Sequence, residues 1–182
     1  MIGNGLQRLN VTGTCFEYGM QEGCLSENMP AKPDNAYALA KYKLYQLLEE
    51  LKLEIPFQLN WLRLFYMYGK GQSHKALFSQ LMAAIECSDE TFNMSGGEQE
   101  RDFLPVETVA KYIVKIAIQQ SEVGLINCCS GQPVKVKNWV IEYLEQHNKH
   151  IKLNLGFYPY TDYEPMSFWG DNEKLGNVLS NK

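Results

Sequence analysis

Apolar residues follow two different spacings along this chain. Continuous or alternating apolar runs that end at Gly, Pro or polar clusters predict strands, whereas apolar residues that recur every three to four positions predict amphipathic helices. The predicted strands cover residues 6–14, 57–69, 91–96, 124–131 and 151–159, and the predicted helices cover residues 36–51, 74–87, 105–120 and 136–148. Strands and helices therefore alternate from the first strand to the last.

This alternation predicts an α/β fold, in which a mostly parallel sheet is flanked by helices. Asn35 or Asp34 is expected to cap the first helix, and Pro105 is expected to open the third. The tail at residues 168–182 is polar and is expected to fray.

Composition and charge exclude several classes of protein. The chain has 182 residues, of which 45% are hydrophobic and 21% charged, and its net charge is −4. These values are typical of a globular domain with a sizeable core. The negative charge argues against non-specific binding to nucleic acid or to an anionic membrane surface. Since no apolar run reaches about 20 residues and the N-terminus does not resemble a signal peptide, we expect no membrane span and a cytoplasmic protein.

Neither the cysteines nor the histidines show the spacing of metal ligands. The five cysteines include the adjacent pair Cys128 and Cys129, but no C-x-x-C. A disulfide between neighbours is strained, so reduced and mostly buried thiols are predicted. The three histidines are scattered over polar stretches, and no metal site is predicted.

Tyr37 precedes Lys41 by four positions in the first predicted helix, so the two side chains share one helix face. An unperturbed tyrosine has a pKa of about 10 and is a poor base at neutral pH. A nearby ammonium group favours the phenolate. Lowering the pKa to about 7 takes roughly 4 kcal/mol, of which one lysine could supply a part. Taken alone, such a pair is more often a chance feature of a solvated helix.

Four further stretches accompany the pair in a definite order. VTGTCFEYG precedes it at the end of a strand, and RLFYMYGKGQ, GGEQERDFLP and GLINCCSGQP follow it. Together the five blocks resemble the extended short-chain dehydrogenase/reductase family, the NAD-dependent epimerases and dehydratases of nucleotide sugars. The resemblance covers nearly the whole chain and implies the later part of a Rossmann-like fold with a small substrate-binding region. It places the catalytic half at residues 1–70 and the substrate-binding region at residues 71–182.

The resemblance also implies a role for each of five residues. Thr14 would hydrogen-bond the sugar hydroxyl or carbonyl, and Tyr37 would be the general acid/base. Lys41, together with Tyr37, would hold the nicotinamide ribose and lower the pKa of the tyrosine. Arg101 would pair with the diphosphate of a nucleotide sugar, because a guanidinium binds phosphate oxygens bidentately. Tyr66 stands at a substrate contact where the family carries an asparagine.

Two of these residues have simpler explanations. Thr14 could be a strand-end threonine that bonds the local backbone. Arg101 could form a surface ion pair with Glu98 or Asp102.

Two departures from the family pattern narrow the function. Cys15 and Phe16 stand where the 4,6-dehydratases carry the acid and base that remove water, which argues against dehydration and leaves epimerisation or carbonyl reduction. No G-x-x-G-x-x-G or G-x-G-x-x-G motif follows a strand here, although the family binds dinucleotide phosphates at such a Gly-rich turn. We therefore expect NAD or NADP in the complete enzyme, but none bound by this chain alone.

Two classes of function are therefore open. The chain is the catalytic and substrate half of an NAD(P)-dependent nucleotide-sugar epimerase or 4-keto-sugar reductase, inactive alone, or it is a non-catalytic half-domain remnant that serves as a binding or assembly module. In both cases the strand that ends at Thr14 would lack a neighbour on one side. A missing N-terminal half or a second copy of the chain is expected to cover that open edge.

Overall fold

Groups of two or three strands alternate with α-helices along residues 2–180, the part of the chain that the computed structural model describes. The strands are β1 (Arg8–Thr14), β2 (Gly23–Leu25), β3 (Gln58–Leu64), β4 (Tyr66–Tyr68), β5 (Thr91–Asn93), β6 (Glu100–Arg101), β7 (Phe103–Pro105), β8 (Leu125–Cys128), β9 (Val134–Lys135), β10 (Lys152–Asn154) and β11 (Phe168–Gly170). The α-helices are α1 (Ala36–Glu54), α2 (Leu77–Glu86), α3 (Val106–Ala117), α4 (Val136–Gln146) and α5 (Glu173–Ser180). Two short 3-10 helices, Ile2–Asn4 and Cys15–Tyr18, lie on either side of β1.

Three parallel strands form the central sheet in the order β1-β3-β8. Thr14 pairs with Leu64 across β1 and β3, and Leu64 pairs with Cys128 across β3 and β8. Strand β3 is buried along most of its length, as expected for a central parallel strand that is covered on both faces. Because parallel strands end at the same edge of a sheet, this edge brings Thr14, Leu64 and Cys128 side by side.

Helices cover both faces of this sheet, since successive side chains of a strand point to opposite faces. On one face, Trp61 of β3 packs in a buried cluster with Leu48 of α1. On the other face, Leu62 packs with Ile116 of α3 and with Leu175 of α5. This layered arrangement confirms the predicted α/β fold with a mostly parallel sheet and flanking helices.

A further apolar cluster lies outside the central sheet. Leu81 of α2, Phe92 of β5 and Trp139 and Leu144 of α4 are buried together there. Two-stranded parallel ladders join β5 to β10, β2 to β11 and β4 to β7, and an antiparallel ladder joins β6 to β9. Strand β8, from the later part of the chain, pairs with β3 from the earlier part. The division at residue 70 between a catalytic half and a substrate-binding region stays a prediction.

The run at residues 57–69, which was predicted as one strand, is divided at Phe65. Strand β3 ends at Leu64 and β4 begins at Tyr66, and the two strands pair with different partners, β8 and β7. An uninterrupted apolar run does not reveal where a chain leaves one sheet for another.

The prediction that the tail frays is wrong. The tail forms β11, which pairs with β2, and then α5. Leu175 is 2% exposed, and Val178 and Leu179 pack against the same cluster. These three residues lie at helical spacing and form the apolar side of an otherwise polar helix. Residues 181–182 of the tail lie outside the described residues.

Three remaining expectations concern membranes, metals and cysteines. None of the described helices is long and apolar enough to cross a membrane. Within residues 2–180, no group of three or more His, Cys, Asp or Glu side chains could hold a metal ion. All five cysteines are free thiols, and Cys15, Cys128 and Cys129 are buried whereas Cys24 and Cys87 are exposed.

Candidate active site

A cleft of about 180 Å³ lies at the carboxyl ends of β1 and β3. Thr14, Tyr37 and Tyr66 line this cleft, together with the thiol-bearing Cys15. Tyr66 also lines a second cavity, of about 230 Å³, which contains Arg101. The structure therefore brings four of the five predicted side chains to two cavities that share Tyr66.

Helix α1 carries Tyr37 in its first turn and Lys41 one turn later. The Ala38 N–H donates to Asn35 Oδ1 at 2.9 Å, so Asn35 is the N-cap that fixes where the helix begins. Lys41 Nζ donates to the carbonyl oxygen of Thr12 at 2.8 Å and lies 5.9 Å from the centroid of the Tyr37 ring. Both side chains lie on the β1 side of the helix, as the Tyr-x-x-x-Lys spacing predicts.

Tyr37 is a weaker acid here than a free tyrosine. Partial burial raises the pKa of Tyr37 above its ordinary value of 10.0, and the neighbouring Cys15 and Glu17 raise it further. In this chain desolvation dominates the pKa of Tyr37 and the ammonium group of Lys41 bonds a main-chain carbonyl, so the lowering of this pKa by Lys41 stays a prediction for the complete enzyme. A catalytic phenolate would need additional positive charge close to the ring.

Thr14 ends β1 and caps the 3-10 helix Cys15–Tyr18. Its Oγ1 accepts a hydrogen bond from the Phe16 N–H at 3.3 Å, and its own N–H donates to Glu17 Oε1 at 2.9 Å. The bond to Glu17 is one half of a capping box, whose other half joins the Thr14 side chain to the main-chain N–H of Glu17. The simpler explanation of Thr14, local bonding to the backbone, thus describes its contacts correctly. Because a hydroxyl that accepts one bond can still donate another, Thr14 keeps a proton for a ligand in the cleft.

Glu17 is a site residue that sequence reasoning missed. It is fully buried, and its carboxylate accepts hydrogen bonds from the Thr14 N–H, from Trp61 Nε1 at 3.1 Å and from Arg63 Nε at 2.9 Å. Arg63 could have revealed it, because an arginine in the middle of an otherwise apolar strand needs a buried partner. Glu17 therefore ties the turn that carries Thr14 to the central strand.

Arg101 is 3% exposed and pairs with an acid that the sequence did not suggest. Its Nη2 donates to Glu164 Oε2 at 3.0 Å, and its Nη1 donates to the main-chain carbonyls of Glu100 at 2.8 Å and Met166 at 3.2 Å. Tyr66 Oη donates to the same Glu164 oxygen at 2.6 Å. Glu164 lies 63 positions after Arg101, so no local pattern could indicate the pair.

The surface ion pair considered for Arg101 is wrong. Glu98 bonds Lys135 and Lys137 instead, and these hydrogen bonds lower the pKa of Glu98 to about 2. Asp102 is fully buried and accepts hydrogen bonds from two main-chain N–H groups in the loop after β8, at 2.7 and 2.9 Å. Asp102 thus anchors that loop and does not pair with Arg101.

Five aromatic rings line the cavity that contains Arg101. The rings that line it belong to Tyr66, Tyr68, Phe78, Phe103 and Trp139. The Phe103 and Trp139 rings are stacked with their centroids 4.8 Å apart. Apolar ring walls beside one guanidinium suit a ligand that joins a flat ring to an anionic group.

The described residues fit one end of a dinucleotide. Tyr37 and Lys41 could hold a nicotinamide ribose. A pyrophosphate cradle needs a motif such as G-x-G-x-x-G between a strand and a helix, and no such motif follows a strand within residues 2–180. At Gly13, within β1, a Cβ atom would collide with the side chains of Trp61 and Glu17, so the strand packs closely against these two side chains.

The five predicted site residues lie within one stretch that matches a known family. The model of the NAD dependent epimerase/dehydratase family matches residues 1–129. The chain belongs to the NAD-dependent epimerase/dehydratase family. That match confirms the resemblance drawn from the sequence blocks.

Two curated members of the family come from Aggregatibacter actinomycetemcomitans. The dTDP-6-deoxy-L-talose 4-dehydrogenase (NAD(+)) is 31% identical over 167 residues, which cover 91% of this chain and 62% of that protein. The GDP-6-deoxy-D-talose 4-dehydrogenase is 29% identical over 174 residues, which cover 92% of this chain and 58% of that protein. The chain thus spans about 60% of the length of these relatives.

Solved structures of the family share the fold at lower identity. One is the UDP-N-acetylglucosamine 4-epimerase from Methanobrevibacter ruminantium M1 in complex with UDP-N-acetylmuramic acid, which superposes with a TM-score of 0.88 at 20% identity. The match covers 100% of this chain and 59% of the epimerase chain. MoeE5 in complex with UDP-glucuronic acid and NAD superposes with a TM-score of 0.84 at 23% identity. That match covers 98% of this chain and 60% of the MoeE5 chain. These likenesses establish a Rossmann-like epimerase fold for the chain.

Proposed function

We propose that this chain is the catalytic and substrate-binding part of an NAD(P)-dependent nucleotide-sugar epimerase or 4-keto-sugar reductase. The observation that carries the proposal is the shared position of Tyr66. It joins the cleft of Thr14 and Tyr37 to the aromatic cavity of Arg101. A nucleotide sugar carries three parts in the same order as these features of the site: a sugar, a diphosphate and a flat base.

Proton transfer at the sugar is assigned to Tyr37 and Thr14. In the oxidising direction, Tyr37 as phenolate takes the hydroxyl proton while the Thr14 hydroxyl hydrogen-bonds the same sugar oxygen. In the reducing direction, the Tyr37 phenol returns a proton to the carbonyl oxygen. NAD(P), when bound, takes up or supplies the hydride. Since the pKa of Tyr37 is raised in this chain, its ionisation at neutral pH requires positive charge beyond that of Lys41.

Substrate anchoring is assigned to Arg101 and Tyr66. The Arg101 guanidinium is buried beside ring walls and matches the oxygens of a diphosphate. The phenol of Tyr66 can donate a hydrogen bond at the junction of the two cavities, because burial raises its pKa well above 10.0 and keeps it protonated. The names of the two curated relatives support a dTDP- or GDP-linked 6-deoxyhexose as the substrate class.

The residues after Thr14 support redox chemistry without loss of water. Burial and the neighbouring Glu164 raise the pKa of Cys15 to about 12, so its thiol stays protonated at neutral pH. Phe16 offers only a ring, with its centroid 6.1 Å from that of Tyr66. Neither side chain can act as the acid–base pair that dehydration needs. The two more similar relatives named above are 4-dehydrogenases by name, which favours the 4-keto-sugar reductase over the epimerase.

The remaining part of such an enzyme is the partner that we assign to the open edge of β1. Within residues 2–180, β1 pairs only with β3, so its second edge offers unpaired main-chain groups. The nearby helix α1 exposes Leu44 and Leu47. A second copy of this chain is the alternative occupant of the edge.

A second candidate function is a non-catalytic half-domain that binds or assembles without turnover. It is favoured by the sequence of residues 2–180, in which no G-x-G-x-x-G motif follows a strand to cradle the pyrophosphate of a dinucleotide. In this case the nucleotide-sugar cavity would be retained and the hydride chemistry lost.

The test joins this chain to the part of the dTDP-6-deoxy-L-talose 4-dehydrogenase relative that the chain does not cover. NAD(P)H formation from dTDP- and GDP-6-deoxyhexoses is measured for the chain alone and for the joined protein. The relative, divided and rejoined at the same position, is the control. We expect turnover only in the joined protein, and its loss in Tyr37→Phe. An active control beside a folded but inactive joined protein would favour the second candidate.

A further inference from the structure

Glu164 neutralises the buried guanidinium of Arg101. The side chain of Arg101 is 4% exposed and that of Glu164 is 17% exposed. Within residues 2–180, Glu164 is the one carboxylate within ion-pair distance of Arg101. Its Oε2 accepts from both Arg101 Nη2 at 3.0 Å and Tyr66 Oη at 2.6 Å. One carboxylate oxygen therefore occupies both proposed substrate donors at once.

The hydrogen bond to Glu164 occupies the guanidinium nitrogen of Arg101 that a ligand would need. Arg101 Nη1 is bonded to the main-chain carbonyls of Glu100 and Met166, and these bonds orient the guanidinium plane. Nη2 carries the bond to the carboxylate, and Arg101, Tyr66 and Glu164 line the same cavity. A carboxylate and a phosphate present similar acceptor oxygens to a guanidinium, so they compete for the same donors.

Glu164 belongs to a strap, residues 155–166, that crosses from β10 to β11. The ends of the strap are fixed, since β10 pairs with β5 and β11 pairs with β2. Near its start, the Phe157 N–H donates to the Met94 carbonyl at 3.0 Å. Between residues 159 and 165, the main chain makes no backbone–backbone hydrogen bond to any described residue. The carboxylate can therefore leave Arg101 without breaking a strand pairing.

We propose that Glu164 is an internal competitor for the diphosphate of the nucleotide at Arg101. The ion pair closes the substrate cavity of the resting chain to weak anions, and a nucleoside diphosphate opens the cavity by displacing the carboxylate. This inference rests on the proposed function, because it takes Arg101 as the diphosphate contact. In addition, the carboxylate of Glu164 occupies the position of the substrate diphosphate in the resting chain. Only a ligand with a doubly charged diphosphate displaces it, so the site selects such a ligand over a nucleoside or a free sugar.

Isothermal titration of the full chain with dTDP tests this inference. Glu164→Gln keeps the shape and the hydrogen-bond acceptor of the side chain but removes the competing charge. We expect Glu164→Gln to bind dTDP about 10- to 100-fold more tightly than the wild type, since the ligand no longer enters against a like charge. Thymidine, which has no phosphate, should bind both proteins equally. The matched control is Asp162→Asn, which removes an exposed charge from the same strap and should leave the dTDP affinity unchanged.

The double variant Arg101→Gln/Glu164→Gln separates the inference from the proposed function. It leaves no unpaired buried charge, and circular dichroism checks that it folds. Equal dTDP affinity in the wild type and Glu164→Gln, together with loss of binding in the double variant, would overturn the competitor role and keep the substrate site. Weaker binding by Glu164→Gln would show that Glu164 is a ligand contact and not a competitor. If neither the wild type nor Glu164→Gln binds dTDP, GDP or UDP, both the inference and the substrate site fail.

Discussion

Arg63 Nε donates to Glu17 Oε2 at 2.9 Å in the interior of the protein, and both side chains are almost fully buried. The same carboxylate accepts the Thr14 N–H, and the Arg63 guanidinium lies 4.3 Å from the centroid of the Tyr18 ring. The ion pair thus connects the carboxyl end of β3 to the turn at the end of β1. The position of Thr14 in the cleft depends on this buried pair.

Removal of one member of the pair should destabilise the chain strongly. Glu17→Ala leaves the Arg63 charge buried without a partner, and we expect the free energy of unfolding to fall by about 3–5 kcal/mol. Urea unfolding followed by circular dichroism measures the change. Glu22→Ala, which truncates an exposed acid nearby, is the control. The double variant Glu17→Leu/Arg63→Met should cost less than Glu17→Ala, and a loss in Glu17→Ala no larger than in Glu22→Ala would contradict the role of the pair.

Tyr37 should ionise above pH 10 in the isolated chain. Burial and the neighbouring Cys15 and Glu17 raise its pKa from 10.0. A raised pKa means that the folded chain binds this proton more tightly than the unfolded chain does, so the contribution to stability is present below pH 10 and is lost as the pH rises through the folded pKa. The absorbance change near 295 nm, measured as wild type minus Tyr37→Phe, reports this titration. A transition near pH 7 would show that Lys41 suffices to activate the phenol.

Tyr37→Phe should lower turnover of the complete enzyme by a factor of roughly 100 to 10,000, the usual contribution of one acid/base group. The tyrosine is 55% exposed, so its hydroxyl is not needed for packing and the thermal midpoint should barely change. Tyr42→Phe removes a hydroxyl from the same helix, outside the residues that line the cleft, and serves as the control. Equal turnover of the two variants would remove Tyr37 from the chemistry.

Helix α5 should stabilise the sheet even though its sequence is mostly polar. Leu175 is 2% exposed and packs with Leu62, Ile116 and Ile126. Leu175→Ala should therefore cost about 2–5 kcal/mol of unfolding free energy, the usual range for a buried leucine. Asn177→Ala, at an exposed position of the same helix, should stay within about 0.5 kcal/mol of the wild type. Matching unfolding curves for the two variants would mean that the helix is not docked.

The sequence predicted the features that depend on short-range pattern. Apolar spacing located the alternating strands and helices, and the i, i+4 spacing placed Tyr37 and Lys41 on the β1 side of α1. The docked tail was missed because three apolar residues on a polar helix give a weak signal until a partner surface is known.

The acids of the site could not be predicted in the same way. Glu17 meets Arg63 across 46 positions and Glu164 meets Arg101 across 63, so each pair exists only after the chain has folded. An isolated arginine in an apolar strand indicates that a partner exists, but the tertiary packing alone decides which acid it is. The raised pKa of Tyr37 has the same origin, because its causes include burial and the distant turn that holds Cys15 and Glu17.

Titration of the isolated chain with NADH, followed by nicotinamide fluorescence, tests most directly the claim that this chain is a catalytic and substrate part without a cofactor cradle. Pyrophosphate binding at a helix start combines several charged hydrogen bonds worth about 1.5–3 kcal/mol each, so their absence should weaken binding by several powers of ten. We expect no saturation up to about 1 mM NADH, a range in which a complete dinucleotide site saturates. Saturable micromolar binding of NADH by a monomer of this chain would contradict the claim.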